Sequence, residues 1–312
     1  VVINTGGRTD TVQYYTPWLL KRLEEGFAYS RNPLFPHKVN VIDLRPSAVD
    51  CLVFCSKDYR PILPHIKEIA QRYPIYCHFT ITAYGKDIEP GVPSIETSIT
   101  TLKELSSRVG KQKVAWRYDP VLLTEAYTFE RHFETFAFMA RELTPFVDRC
   151  IFSFVEEYKK LEVNMPELIS LSECDKERLA RGMGKIAGEN DLRLQTCATE
   201  TDYSNYGIHP SGCMTLDLLG AANGITFKKV KHKGMRKGCH CIESRGLGSY
   251  DTCPNGCRYC YANKSMERVR KNVALHDPNS PLLIGNLHED DILQKGTPRT
   301  FRIAKQPSLF DV

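Results

Sequence analysis

The sequence predicts an α/β protein built on parallel strands, and two patterns carry that prediction. Short β-rich runs alternate with helical periodicities through the first two hundred residues, the rhythm of repeated βα units. Several of those runs are almost continuously apolar, as strands are when both faces are covered. Strands are expected at Val1–Ile3, Val39–Asp43, Cys51–Cys55, Ile75–Ile81, Val114–Tyr118, Cys150–Val155 and Leu192–Cys197. Units of this kind close into a (βα) barrel of ~250 residues. The 312 residues therefore accommodate a barrel domain over 1–210 and a cysteine-rich segment with a tail over 211–312.

Helix signals fall between the strands. Thr16 is placed to cap a helix with Pro17 at its first position and Gly26 as its stop. Pro61–Tyr73 sets Ile62, Ile66 and Ile69 on one face, and Thr97–Val109 ends at Gly110. Thr128–Leu143 carries Phe129, Phe133, Phe136 and Met139–Ala140 at helical spacing, a stripe that reads as core packing. A further helix is expected at Asp175–Ala187.

In parallel α/β barrels the working residues sit at the C-terminal strand ends. The polar groups there are Arg8, Thr9 and Asp10; Ser56 and Lys57; Thr82 and Tyr84; Arg117 and Asp119; Glu156 and Glu157; Glu200 and Asp202. Each alone reads as a loop residue or helix cap. Their recurrence after successive strands is what a shared cavity produces, and Arg8, Arg117 and Asp119 are the candidate catalytic residues.

No run of ~18 apolar residues occurs, and Val1–Gly7 lacks a basic region followed by an apolar stretch. No membrane span or signal peptide is expected, and the expected address is the cytoplasm. No Gly-x-Ser-x-Gly, Walker-type or dinucleotide fingerprint is present, which argues against hydrolase, NTPase and dehydrogenase readings. The histidines form no pair at metal-ligand spacing on one helix and receive no role. The net charge of +5 is mild, but Lys228, Lys229, Lys231, Lys233, Arg236 and Lys237 make a local basic stretch, either a solvated loop or a contact for an anionic partner.

Twelve cysteines in a chain of this size point to metal or redox work rather than a disulfide framework. Seven lie between Cys197 and Cys260. Cys51, Cys55, Cys77, Cys150 and Cys174 sit among apolar neighbours and read as small buried hydrophobes. The sharpest motif is Cys253-Pro254-Asn255-Gly256-Cys257-Arg258-Tyr259-Cys260, a Cys-x3-Cys-x2-Cys spacing. Three thiolates at this spacing hold three irons of a 4Fe-4S cubane and leave the fourth without a protein ligand, whereas a purely electron-transferring cluster normally has four cysteines. Zinc on this motif requires a fourth ligand such as His240 or Cys241. Cys197, Cys213, Cys239 and Cys241 remain for a second site: an auxiliary 4Fe-4S cluster, a tetrahedral zinc, or unliganded thiols.

The compact motif resembles that of the radical S-adenosylmethionine superfamily, and Gly256–Ala262 looks closest to its spore photoproduct lyase-like branch. From Gly7-Arg8-Thr9-Asp10 through Trp116–Pro120 to the motif, the chain is also similar to a bacterial family described only as a domain of unknown function, which brings no reaction with it. The superfamily resemblance implies that Cys253, Cys257 and Cys260 ligate the cluster, that S-adenosylmethionine binds the open iron, and that Tyr259 packs near the adenine. It implies a reductant such as ferredoxin or flavodoxin, and a thiol such as Cys197 or Cys213 as a hydrogen-atom donor. Superfamily members usually carry these cysteines after the first barrel strand, whereas here they follow the last. A partial, permuted barrel reconciles the two by setting the cluster loop beside the first strand. Gly6 and Gly7 then stand where a Gly-Gly-Glu motif binds the methionine amino group, although no Gly-Gly-Glu is present and a simple turn is the other reading.

The segment Gln306-Pro307-Ser308-Leu309-Phe310 resembles the short peptide by which bacterial DNA polymerases and repair proteins dock on the sliding clamp. The other reading is a tail that folds onto its own domain; read as a clamp peptide, with the basic stretch and the lyase likeness, it points to damaged or modified DNA or RNA as substrate. The expectation is a radical S-adenosylmethionine enzyme. The alternative is a non-catalytic nucleic-acid-binding or redox protein stapled by zinc or an iron-sulfur cluster.

Overall fold

Parallel strands with two apolar faces need cover on both, and this chain supplies it from two stretches of sequence. The computed structural model describes residues 1–232, 234, 236–296 and 299–303. Its strands are β1 (Val2–Asn4), β2 (Phe27–Arg31), β3 (Lys38–Asp43), β4 (Cys51–Ser56), β5 (Ile75–Thr80), β6 (Val114–Val121), β7 (Arg149–Phe154), β8 (Leu194–Thr196), β9 (Ile208–His209), β10 (Ser244–Gly246) and β11 (Ile292–Lys295). The helices are α1 (Thr11–Tyr14), α2 (Thr16–Glu25), α3 (Ile66–Arg72), α4 (Ile95–Val109), α5 (Phe129–Leu143), α6 (Leu161–Asn164), α7 (Glu173–Glu189), α8 (Leu216–Asn223) and α9 (Met266–Val273).

Eight strands form one sheet in the order β10-β1-β4-β5-β6-β7-β8-β9, every neighbouring pair parallel. Among the described residues no ladder joins β9 to β10, so this is an eight-stranded parallel sheet flanked by helices. Strand alternation sends Ile3, Leu52, Phe54, Cys77, Trp116 and Phe152 to the face covered by the helices, where Trp116 stacks on Phe136 of α5. The other face carries Val2, Cys51, Val53, Tyr76, Ala115 and Ile151, packed against Met214, Leu216, Leu219 and Ile242 from α8 and its flanks. The chain beyond residue 210 thus contributes the second cover of the sheet and, as β10, a neighbour for β1.

Caps set the helix limits. Thr128 and Ser172 accept hydrogen bonds from the Arg131 and Asp175 amides, and Asp175 completes a capping box. Thr16 is not the cap of α2: Tyr15 holds that position, and the Thr16 hydroxyl donates to the Val12 carbonyl. The helix expected over Pro61–Tyr73 is confined to α3 because residues 60–65 form turns. β3 is formed, but outside the main sheet. It pairs antiparallel with β2, a strand that the periodicity did not reveal, and parallel with β11, so part of the tail beyond Asp290 is ordered sheet.

Among the described residues no helix is long and apolar enough to cross a membrane. His132 of α5 is fully enclosed between the Tyr118 hydroxyl and the Leu122 carbonyl, at 2.7 Å each. The carbonyl can only accept, so Nε2 carries the proton and Nδ1 accepts from Tyr118. Burial lowers the His132 pKa from 6.5 to about 4. The unfolded chain therefore takes up this proton before the folded one does, and stability falls as pH drops from 6.5 to about 4. Glutamine can make both hydrogen bonds without titrating. His132→Gln is expected to cancel roughly 3 kcal/mol of that acid destabilisation, read from urea midpoints at pH 7 and pH 4.

Candidate functional site

The loop after β10 is fastened to the C-terminal ends of the neighbouring strands by hydrogen bonds that leave little choice of position. The Leu247 amide donates to the Asn4 carbonyl (2.9 Å), and the Tyr15 hydroxyl to the Thr252 carbonyl (2.6 Å). The Tyr14 hydroxyl donates to Asn255 Oδ1 (3.0 Å), the Gly91 amide to the Asn255 carbonyl (2.8 Å), and the Arg258 amide to the Ile88 carbonyl (3.0 Å). A Cβ on Gly91 would lie 2.7 Å from Asn255 Cα, so this backbone contact requires glycine. Gly256 turns the loop in the left-handed region, at φ +66°. Across the loop, Lys160 donates to the carbonyls of Cys260 and of Asn263 (2.8 Å), and Asn263 Nδ2 donates to the Cys253 carbonyl (2.7 Å).

These contacts hold Cys253, Cys257 and Cys260 in one neighbourhood, Cys253 buried and the other two half-buried. Burial pushes the Cys253 thiol up to about 12 and drives Cys257 well above its ordinary value. Beside them Asp10 accepts from the Lys57 amide (2.9 Å), the Ser56 hydroxyl (2.7 Å) and the Gln13 amide (3.0 Å). Burial outweighs those donors and raises Asp10 to about 6. Glu89, 2% exposed, gathers Lys57 Nζ (2.8 Å), Thr82 Oγ1 (2.9 Å) and the Tyr259 hydroxyl (2.5 Å). Burial disfavours the Lys57 ammonium, but Glu89 prevails and its pKa is raised.

The glycines after β1 fill two roles. A Cβ on Gly6 would fall 2.2 Å from the Cys55 carbonyl oxygen, so β1 here presses directly on the end of β4. The Gly7 carbonyl accepts from the Tyr261 hydroxyl (2.5 Å), which ties this turn to the cysteine loop. Arg8 turns elsewhere: Nη1 reaches Ser30 Oγ (3.3 Å), and the guanidinium lies over the Tyr250 ring at 5.4 Å.

Alternation along β6, β7 and β8 places Arg117, Asp119, Ser153 and Cys197 on the face away from the outer helices. Arg117 is buried and donates through Nε (3.2 Å) and Nη2 to Asp119 Oδ2, while Ser153 donates to Asp119 Oδ1. Burial opposes ionisation of Asp119, but Arg117 outweighs it and holds the carboxyl below its usual range. Arg117 Nη1 also approaches Cys213 Sγ (3.6 Å). Around that sulfur the second set of cysteines meets, with Cys197 Sγ at 3.8 Å and Cys241 Sγ at 3.5 Å. Cys239 lies near enough to Cys241 to push its thiol pKa up.

The candidate residues therefore assemble into two groups. One holds Cys253, Cys257, Cys260 and Tyr259, tied to Gly7; the other holds Cys197, Cys213, Cys239 and Cys241 with Arg117 and Asp119. Cys55, read from sequence as a buried hydrophobe, is half-buried and feels Arg117 and Asp119 as well as Asp10 and Lys57. Cys174, given the same reading, is exposed on α7, whereas Cys51, Cys77 and Cys150 are buried. Glu89 and Ser153 went unnoticed in the sequence. Ser153 follows from counting alternate positions along β7; Glu89, in a loop, gives no such signal. Lys228, Lys229 and Lys231 are exposed, Arg236 pairs with Glu156, and Lys237 pairs with Glu200 at 2.7 Å. Lys233 and the Gln306–Phe310 segment lie outside the described residues. Among the described residues no three His, Cys, Asp or Glu side chains are gathered as they are around a bound metal ion.

One family profile, described as Domain of unknown function (DUF1848), matches residues 2–262. No curated protein and no solved structure matches the chain.

Proposed function

We propose that this chain, which belongs to the DUF1848 family, is a radical S-adenosylmethionine enzyme that binds a 4Fe-4S cluster on Cys253, Cys257 and Cys260. The observation that carries this reading is topological. The cysteine loop comes late in the sequence, yet it leaves β10, which runs parallel beside β1, and the turn that follows β1 carries Gly6-Gly7. In space the order is therefore cysteine-bearing strand, then glycine-bearing strand, as in a partial barrel permuted relative to the usual superfamily arrangement. The donor set suits the cluster: three cysteines within eight residues, on a loop fastened by backbone contacts rather than by its thiols. Such a cluster, when bound with one iron open, would pass one electron from the reductant to S-adenosylmethionine, whose sulfonium would release methionine and a deoxyadenosyl radical.

The protein's own part is to bind, orient and shield. The Glu89 carboxylate holds the Tyr259 hydroxyl, and Lys57 Nζ lies 5.8 Å from the centre of that ring, so the aromatic surface assigned to the adenine cannot swing. Tyr261 closes the turn at Gly7, and Asp10 stabilises the adjoining amides of Gln13 and Lys57. Arg117 and Asp119 offer a fixed charged pair for orienting a polar substrate, for which we propose a damaged or modified nucleic acid. A ferredoxin or flavodoxin would deliver the electron. The test is anaerobic purification with iron and sulfide analysis, then reduction in the presence of S-adenosylmethionine. About four irons on this loop and formation of deoxyadenosine are expected; protein without iron, or iron-loaded protein that yields no deoxyadenosine, overturns the reading.

A further inference from the structure

We propose that Cys197, Cys213, Cys239 and Cys241 bind a single zinc ion as a closed tetrathiolate site, separate from the loop at Cys253–Cys260. The four come from three places in the chain: the end of β8, the turn between β9 and α8, and the loop before β10. Their thiols nevertheless cluster, with Cys197 to Cys213 at 3.8 Å and Cys213 to Cys241 at 3.5 Å, and Cys239 near enough to Cys241 to push its thiol up. These separations are far too long for disulfides, whose sulfurs are ~2.05 Å apart. They match the edge of a tetrahedron with zinc–sulfur bonds of about 2.3 Å, which is about 3.8 Å. A cubane holds its ligand sulfurs on a much larger tetrahedron, because each thiolate sits outside its own iron.

Two features show that the backbone is shaped to bring these residues together. Gly238 has φ +68°, and a Cβ there would come within 3.1 Å of the Ala198 and Thr199 backbone, so the loop carrying Cys239 and Cys241 lies directly on the chain leaving Cys197. Ala198 itself stands in the left-handed region at φ 49°, a conformation costing an L-residue about 1 kcal/mol and kept where surroundings demand it. The sulfurs also face donors. Arg117 Nη1 approaches Cys213, the Arg236 guanidinium lies near enough to Cys197 to interact with it electrostatically, and the Met214 amide donates to Cys241 Sγ at 3.3 Å. A zinc tetrathiolate carries two negative charges, and an amide together with two guanidiniums, which also pair with Asp119 and Glu156, would face it as an outer shell of donors. The four thiols do not yet surround one point as the ligands of a bound metal do, so binding zinc would require the cysteine side chains to rotate until the run of contacts closes into a tetrahedron. The site would pin the cover of the inner sheet face, formed by α8 and its flanks, to the ends of β8 and β9.

The experiment uses the full chain carrying Cys253→Ala, Cys257→Ala and Cys260→Ala together, so that it does not depend on a cluster in that loop. Zinc is measured by mass spectrometry, and the same protein is reconstituted with cobalt(II). One zinc per chain and the visible spectrum of tetrahedral cobalt tetrathiolate are expected. Adding Cys213→Ser should cut bound zinc more than tenfold, whereas Cys174→Ser, at an exposed cysteine, should leave it unchanged. The cobalt spectrum is read on protein with the four cysteines intact, so misfolding of the Cys213→Ser variant does not decide the matter. Iron and sulfide retained by the triple variant, or a folded triple variant that takes up neither zinc nor tetrahedral cobalt on reconstitution, overturns the proposal.

Discussion

Cys257→Ala is expected to abolish deoxyadenosine formation and to lower the iron held by the loop after β10 more than tenfold, without unfolding the protein. Even residues behind a metal ligand typically contribute ~10–100-fold to metal affinity, and loss of a ligand exceeds that. The fold should survive because the loop is fastened on either side of this residue by main-chain bonds, Gly91 to Asn255 and Arg258 to Ile88. Cys257 is half-buried and belongs to none of the apolar clusters that hold the sheet. Iron and sulfide analysis with circular dichroism on the same preparation separates the two effects. A variant that folds, keeps its iron and still yields deoxyadenosine removes Cys257 from the ligand set.

Much of this molecule was legible because its strands announce themselves. Runs such as Cys51–Ser56 and Ile75–Thr80 are buried on both faces, and a continuous apolar run needs no knowledge of partners to be recognised. Partners are what the pattern omits. Lys38–Asp43 has the composition of a parallel strand, but its hydrogen bonds go to Phe27–Arg31 and Ile292–Lys295, and Ile292–Lys295 lies some 250 residues further along the chain. The reading of Thr16 as a cap failed for a local reason: Asp10 caps a short helix one turn earlier, and Thr16 is already inside the next.

The candidate sites divide in the same way. Cys253, Cys257 and Cys260 were visible because their meaning lies in spacing within a single loop. The meeting of Cys197, Cys213, Cys239 and Cys241 depends instead on which strand faces inward and on how tightly Gly238 brings one loop against another. Cys55 was misjudged for a related reason. Its apolar neighbours Leu52, Val53 and Phe54 describe the strand it terminates, whereas its own surroundings are Gly6, Arg117, Asp10 and Lys57 at the strand ends. Apolar neighbours in sequence indicate burial, but at the C-terminal edge of a parallel sheet the next contacts are made by loops from other strands.

Glu89 carries the largest expected effect on stability. Its carboxylate accepts from Lys57, Thr82 and Tyr259 within 2.9 Å, and both members of the Lys57–Glu89 pair are shielded, with side-chain exposures of 12% and 2%. Removing one partner of such a pair leaves an uncompensated charge and costs about 3–5 kcal/mol, more than the pair itself contributes. Glu89→Ala should therefore lower the unfolding free energy read from urea titration by that amount and release Tyr259. Removing both charges while keeping apolar volume, as in Lys57→Met with Glu89→Leu, should recover most of the loss because the desolvation cost of the ions disappears with them. The recovered fold would still lack the acceptor that fixes the Tyr259 ring, so the double variant should regain stability without regaining full S-adenosylmethionine cleavage. A double variant as unstable as Glu89→Ala would mean that the carboxylate's bonds to Thr82 and Tyr259, rather than the charge left on Lys57, account for the destabilisation.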